Sequence, residues 1–153
     1  MCYCPDVDPQ DLLQIYKKQI PNSIFINAFV PTCERMKRYQ GEWHTEEKPA
    51  FPGYIFLESS QTKKYSDAYV KESVLLRPEQ QKFLKELIGT DRHMKMSIGY
   101  IQNGCTHITE GPLCGYEKFI RKIDRHKRLA KLEFPTANTS RELYAGLEIV
   151  SKS

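Results

Sequence analysis

Long apolar runs are missing from this 153-residue chain. No stretch reaches the ~18 residues that a membrane-crossing helix needs, so no helical membrane span is expected. The first residues, with Asp6 and Asp8, lack the basic and apolar leader that directs secretion, and a cytoplasmic location is expected. Cysteine is scarce and odd in number: Cys2, Cys4, Cys33, Cys105 and Cys114 point to free thiols in a reducing compartment. Cys2 and Cys4 stand too close for ordinary zinc spacing, and no Cys-x-x-Cys follows, so no metal is expected. Catalytic signatures are also lacking. The chain has no glycine-rich loop ending in Lys-Ser/Thr, no His-Glu-x-x-His and no Gly-x-Ser-x-Gly. His44, His93, His107 and His126 are scattered. Neither an enzyme nor a bound cofactor is expected. The enzymatic alternative is a reactive thiol at Cys114, beside Gly115 and the basic residues that follow, although a plain turn residue is the simpler reading.

What is present is an ordinary globular balance, with 40% hydrophobic and 27% charged residues. The formal charge of +4 is unevenly spread. Between Lys118 and Lys131 stand seven basic residues (Lys118, Arg121, Lys122, Arg125, Lys127, Arg128, Lys131) against the single acid Asp124, a local excess of six that exceeds the charge of the whole chain. A one-signed patch on an otherwise balanced protein is the footprint expected for a polyanion.

Periodicity divides the chain in two. Asp8, Pro9, Gln10 and Asp11 read as a helix start, followed by Leu12, Leu13, Ile15, Tyr16 and Ile20 at helical spacing up to Pro21. Ile24 to Val30 reads as a strand, the polar stretch Thr32 to Lys48 as a long hairpin or loop, and Phe51 to Leu57 as a second short apolar run. Tyr65 to Val70 suggests a short helix. Pro78 opens a clearer one, with Phe83, Leu84, Leu87 and Ile88 on one face and Gly89 at its end. Met94 to Gln102 reads as an extended return. Beyond it, glycines punctuate short strands: Phe119 to Ile123 and Leu129 to Phe134 flank a turn, and Leu143 to Val150 closes the chain. The expectation is an α+β protein, an α/β sandwich over residues 1–100, a linker at 101–105 and a small β-barrel over 106–153.

Two segments carry a family resemblance. Phe51-Pro52-Gly53-Tyr54-Ile55-Phe56 resembles the strand that marks the N-terminal (NGN) domain of NusG-type transcription elongation factors. Gly111-Pro112-Leu113-Cys114-Gly115-Tyr116-Glu117, followed by Ile120-Arg121-Lys122-Ile123-Asp124, resembles the KOW motif that opens their SH3-like C-terminal barrel. Ile123 to Ala130 and Gly146 to Val150 are most similar to the LoaP branch of antiterminators. The resemblance implies a monomeric factor that rides on RNA polymerase, its first domain contacting the clamp helices of the largest subunit. It implies that the second domain recognises a nascent RNA hairpin, with a ribosomal protein or termination factor as a further candidate partner. A ribosome-associated KOW module without a polymerase role is the alternative.

Each candidate site has a plainer reading beside it. Phe51, Pro52, Tyr54 and Phe56 are either ordinary core or an exposed pocket that docks a helical hairpin of polymerase. Arg125, His126, Lys127 and Arg128 at a turn, with Arg121, Lys122 and Lys131 on the flanking strands, are either a solvated loop or a phosphate-binding edge for structured RNA. Tyr116 and Phe119 are candidates for base stacking or, for Phe119 above all, for packing. The segment Arg35 to Lys48, with Met36, Lys37, Arg38, Trp43, His44 and Thr45, reads as a polar connection; in NusG-like factors the corresponding region lies beside the nucleic-acid cleft of polymerase.

Overall fold

Asp8 caps the first helix, as its position in the sequence implies. Its Oδ1 accepts the backbone N–H of Gln10 at 2.8 Å and that of Asp11 at 3.4 Å, satisfying donors that a helix start leaves without partners. This helix, α1 (Pro9–Gln19), buries Leu12, Leu13 and Tyr16 against Ala28, Val30 and Ile55 in a small core of its own. The second helix, α2 (Pro78–Ile88), begins at a proline and ends at Gly89, whose φ of 61° suits a residue without a Cβ. Phe83, Leu84, Leu87 and Ile88 are all buried, each worth roughly 1.5–3 kcal/mol of transfer free energy.

The computed structural model describes residues 1–4, 8–19, 25–60, 71–134 and 142–153. The short helix expected at Tyr65 to Val70 lies outside them. Strands dominate: β1 (Cys2–Tyr3), β2 (Phe25–Phe29), β3 (Thr32–Tyr39), β4 (Glu42–Pro49), β5 (Tyr54–Ser59), β6 (Glu72–Ser73), β7 (His93–Met94), β8 (Ser97–Gln102), β9 (Cys105–Glu110), β10 (Ile120–Asp124), β11 (Leu129–Glu133) and β12 (Glu142–Lys152). Among the described residues they form three open sheets with the orders β2-β5-β1-β6, β4-β3-β7 and β10-β11-β12-β8-β9. The described residues make a mixed α/β protein built mostly of strands, which is compatible with the expected α+β class.

Strand β5 explains why Phe51 to Leu57 is apolar without alternation. Ile55 faces the small core under α1, whereas Tyr54 and Phe56 face the main core that α2 covers. A strand covered on both faces carries apolar side chains at every position. It is entered through a tight turn in which the Tyr54 N–H donates to the Phe51 carbonyl at 3.2 Å, with Pro52 and Gly53 (φ 81°) at the corners. Only glycine fits there, because a Cβ on Gly53 meets the Tyr3 ring at 2.8 Å.

Residues 101–105, expected as a linker, are instead the end of β8, a two-residue turn and the first residue of β9. Asn103 (φ 50°) and Gly104 (φ 78°) make a tight hairpin turn, as do Gln40 (φ 54°) and Gly41 (φ 80°) between β3 and β4. Strand β8 pairs antiparallel with β9 and parallel with β12, so one sheet joins residue 97 to residue 152. The main core is likewise shared. Phe51 meets Phe134 edge-on at 5.4 Å, and Phe83 of α2 meets Phe119 at 4.8 Å.

Candidate nucleic-acid interface

The basic turn is built by Asp124. Its Oδ1 accepts the Lys127 backbone N–H at 3.0 Å, and the Arg128 N–H reaches the Arg125 carbonyl at 3.4 Å, closing a turn of four residues between β10 and β11. Arg128 ends it with φ 49°, a left-handed conformation that side-chain contacts must hold. The strands below are anchored by buried Ala130 and Leu132, so the turn stands on a rigid base.

The fold divides the candidate RNA-binding residues Arg121, Lys122, Arg125, His126, Lys127, Arg128 and Lys131 into two groups. Arg121 pairs with Glu133, and Lys131 pairs with Glu142, whose second oxygen accepts the Tyr144 hydroxyl. The hydrogen bond from Lys131 to Glu142 pushes the Lys131 ammonium pKa up, and Lys131, followed by Tyr144, holds the Glu142 carboxyl below its usual range. Arg128 pairs with Glu148 at 3.3 Å. The side chains of Lys122, Arg125, His126 and Lys127 are exposed and form no ion pair with an acid among the described residues. Glu133, Glu142 and Glu148 thus cut the local excess from six to three, and the uncompensated charge concentrates at the turn and its β10 shoulder.

Sequence reasoning missed the contact that links this turn to the first half of the chain. The Arg128 guanidinium lies 4.1 Å from the centroid of the Trp43 ring, on the β3–β4 hairpin. Strand β12 runs close against β3, and Gly146 permits it: a Cβ there meets Met96 Sδ at 2.1 Å and the Glu34 carbonyl at 2.5 Å. No local pattern signals a pairing between residues so far apart. The stretch Thr32 to Lys48 is indeed a hairpin, paired throughout from Thr32–Pro49 to Tyr39–Glu42. It is tied to β7 by Thr32 Oγ1 and His93 Nδ1 at 2.8 Å.

The aromatic cluster is corrected in one respect. Phe51, Tyr54 and Phe56 are 0%, 8% and 3% exposed, so their rings are core and not an open pocket; Pro52 alone is exposed. They are buried because β5 is sandwiched, and the Phe51 ring meets that of Phe56 at a tilt, with centroids 5.1 Å apart. Phe119 packs on Phe83, and the Tyr116 hydroxyl donates to Glu86, so both fasten the segment 116–119 to α2. The motif Gly111 to Glu117 is a pair of turns pinned by buried Leu113, whose N–H donates to Ser97 Oγ at 3.1 Å. Cys114, exposed, directs its thiol at the Ile108 carbonyl, 3.8 Å away.

The chain matches no family model and no curated protein. What its surface does chemically therefore rests on the residues themselves. Among the described residues no three His, Cys, Asp or Glu side chains gather as a metal site, and no helix is long and apolar enough to cross a membrane. The feature left standing is a cationic turn on a rigid hairpin, joined to an aromatic hairpin through Arg128 and Trp43.

Proposed function

We propose that this chain is a NusG-type transcription antitermination factor, with an NGN-like first part that rides on RNA polymerase and a KOW-like second part that holds a hairpin in nascent RNA. The observation that carries the RNA half is the group Lys122, Arg125, His126 and Lys127: exposed, uncompensated and presented by a turn whose geometry Asp124 fixes. Such a protrusion suits phosphates and loop nucleotides, because A-form RNA hides its base edges in a deep groove. The polymerase half is supported by the two family-like motifs in their order. By favouring the processive state over the paused one by about 1.4 kcal/mol, the factor shifts the pause population about tenfold.

The burial of Phe51, Tyr54 and Phe56 favours a second reading, an RNA-binding module of the ribosome without a polymerase role, because it removes three expected anchors. One experiment separates the two. Purified protein is presented to core RNA polymerase and, separately, to a stable RNA hairpin and an unstructured RNA of equal length. A preference for the hairpin together with retained polymerase supports the antitermination reading, and hairpin binding without polymerase supports the module. The triple variant Arg125→Glu, Lys127→Glu, Arg128→Glu is expected to lose RNA and keep polymerase; equal loss of both overturns the division of roles.

A further inference from the structure

Trp43 is the sole tryptophan of the chain and remains 37% exposed although an arginine covers part of it. Its surroundings are one-sided. In the β3–β4 pairing Trp43 stands opposite Arg38, whereas Lys37 stands opposite His44 and Tyr39 opposite Glu42 on the alternate face. Lys37 and Lys48 are taken up by Glu46, at 3.7 Å and 4.0 Å. Tyr39 and His44 are stacked on each other at 3.6 Å. Tyr39 is the more exposed ring of the hairpin, but one face of it is taken by His44, whereas Trp43 has Arg38 and, from the basic turn, Arg128 as neighbours. The Glu148 carboxylate, 3.3 Å from Arg128, fixes the guanidinium over the indole.

We infer that Trp43 is a stacking platform for an unpaired base of the RNA whose phosphates the basic turn holds. Indole surface flanked by guanidinium groups is the usual chemistry for an unstacked nucleotide: the base lies on the ring, and the cations take the backbone. The two elements are complementary, since the turn supplies most of the exposed charge and the hairpin face supplies the indole. Arg128 belongs to both and sets their spacing. This inference rests on the RNA reading above and adds that single-stranded nucleotides, and not only duplex shape, are recognised.

The test uses the full chain and the fluorescence of Trp43, which reports from a single position. One probe is an RNA stem closed by an adenosine-rich loop, and the other is the same stem as a blunt duplex. The looped RNA is expected to quench Trp43, and Trp43→Ala to weaken its binding about tenfold or more, the size of one base–aromatic stack. Binding of the blunt duplex is expected to stay unchanged, and Trp43→Phe to restore most of the loss. Equal affinity of Trp43→Ala and wild type for the looped RNA, with unquenched fluorescence, overturns the stacking role while leaving phosphate binding intact. Failure of the wild type to bind either RNA overturns both this inference and the RNA reading beneath it.

Discussion

Counting basic residues along the chain and counting uncompensated ones in the fold lead to different salt dependences. Replacing Lys122, Arg125 and Lys127 by glutamine removes three exposed cations without acidic partners. Each phosphate neutralised contributes about 0.7–0.9 to the slope of log affinity against log salt, so the triple variant is expected to lose about 2–3 from that slope. Over a fourfold rise in salt the wild type then loses about 20- to 40-fold more affinity than the variant does. Replacing Arg121 and Lys131 by glutamine is expected to change the slope by less than about one, because Glu133 and Glu142 already cancel those charges. All five positions are exposed or half-buried, and each substitution is expected to cost within about 0.5 kcal/mol of stability, so folding does not obscure the comparison. The assay is a hairpin-RNA titration at several salt concentrations. A slope that falls as much for the paired set as for the unpaired set refutes the idea that the fold narrows the patch.

Phe51→Ala removes a fully buried ring from between Phe56 and Phe134, and about 3–5 kcal/mol of stability should vanish in urea unfolding; a variant of wild-type stability would make Phe51 a docking residue after all. Gly146→Ala forces a methyl against the Glu34 carbonyl and Met96, costing about 1–3 kcal/mol in the same assay, and an unchanged midpoint would deny the close approach of β12 to β3. Cys105 and Cys114 are expected to react at once with a thiol reagent, while buried Cys2, Cys4 and Cys33 wait for unfolding. Burial also pushes the Cys33 thiol pKa up, so raising the pH toward the ordinary thiol range should not expose its reactivity. A fragment ending at Asn103 removes both partners of β8 and strips Phe119 and Phe134 from α2, and is expected to unfold without a cooperative transition; a sharp transition would show the first half to be an independent unit.

Local chemistry was legible where one residue decides. Asp8 and Pro9 mark the start of α1, Pro78 and Gly89 bound α2, and the strands around Asp124 to Arg128 lie where period-two patterning put them. The boundary between the halves was not, although Asn103-Gly104 is a strong hairpin signal: the same dipeptide suits a linker, and only the pairing of β8 with β12 decides. Nor does apolar character at Phe51, Tyr54 and Phe56 distinguish a core face from a docking face. Ile55 resolves it, because burial on the opposite side of β5 shows that both faces are covered.

The charge count from Lys118 to Lys131 likewise reflects local sequence alone. It ended at Lys131, two residues before Glu133, and antiparallel pairing then brings Glu142 opposite Glu133 and beside Lys131. Sheets fold distant acids onto nearby bases, so a linear excess overstates the field that a ligand meets. Under the proposed function, a patch reduced to Lys122, Arg125, His126 and Lys127 contacts few phosphates, so binding through it alone is modest and its salt slope shallow. Under the proposed function this weakness is an advantage. A factor tethered to polymerase meets the emerging RNA at high effective concentration, so a weak turn suffices there and fails on free RNA. Discrimination among transcripts then falls, on the same proposal, to contacts beyond charge, and Trp43, against which Arg128 lies, is the residue proposed to supply one.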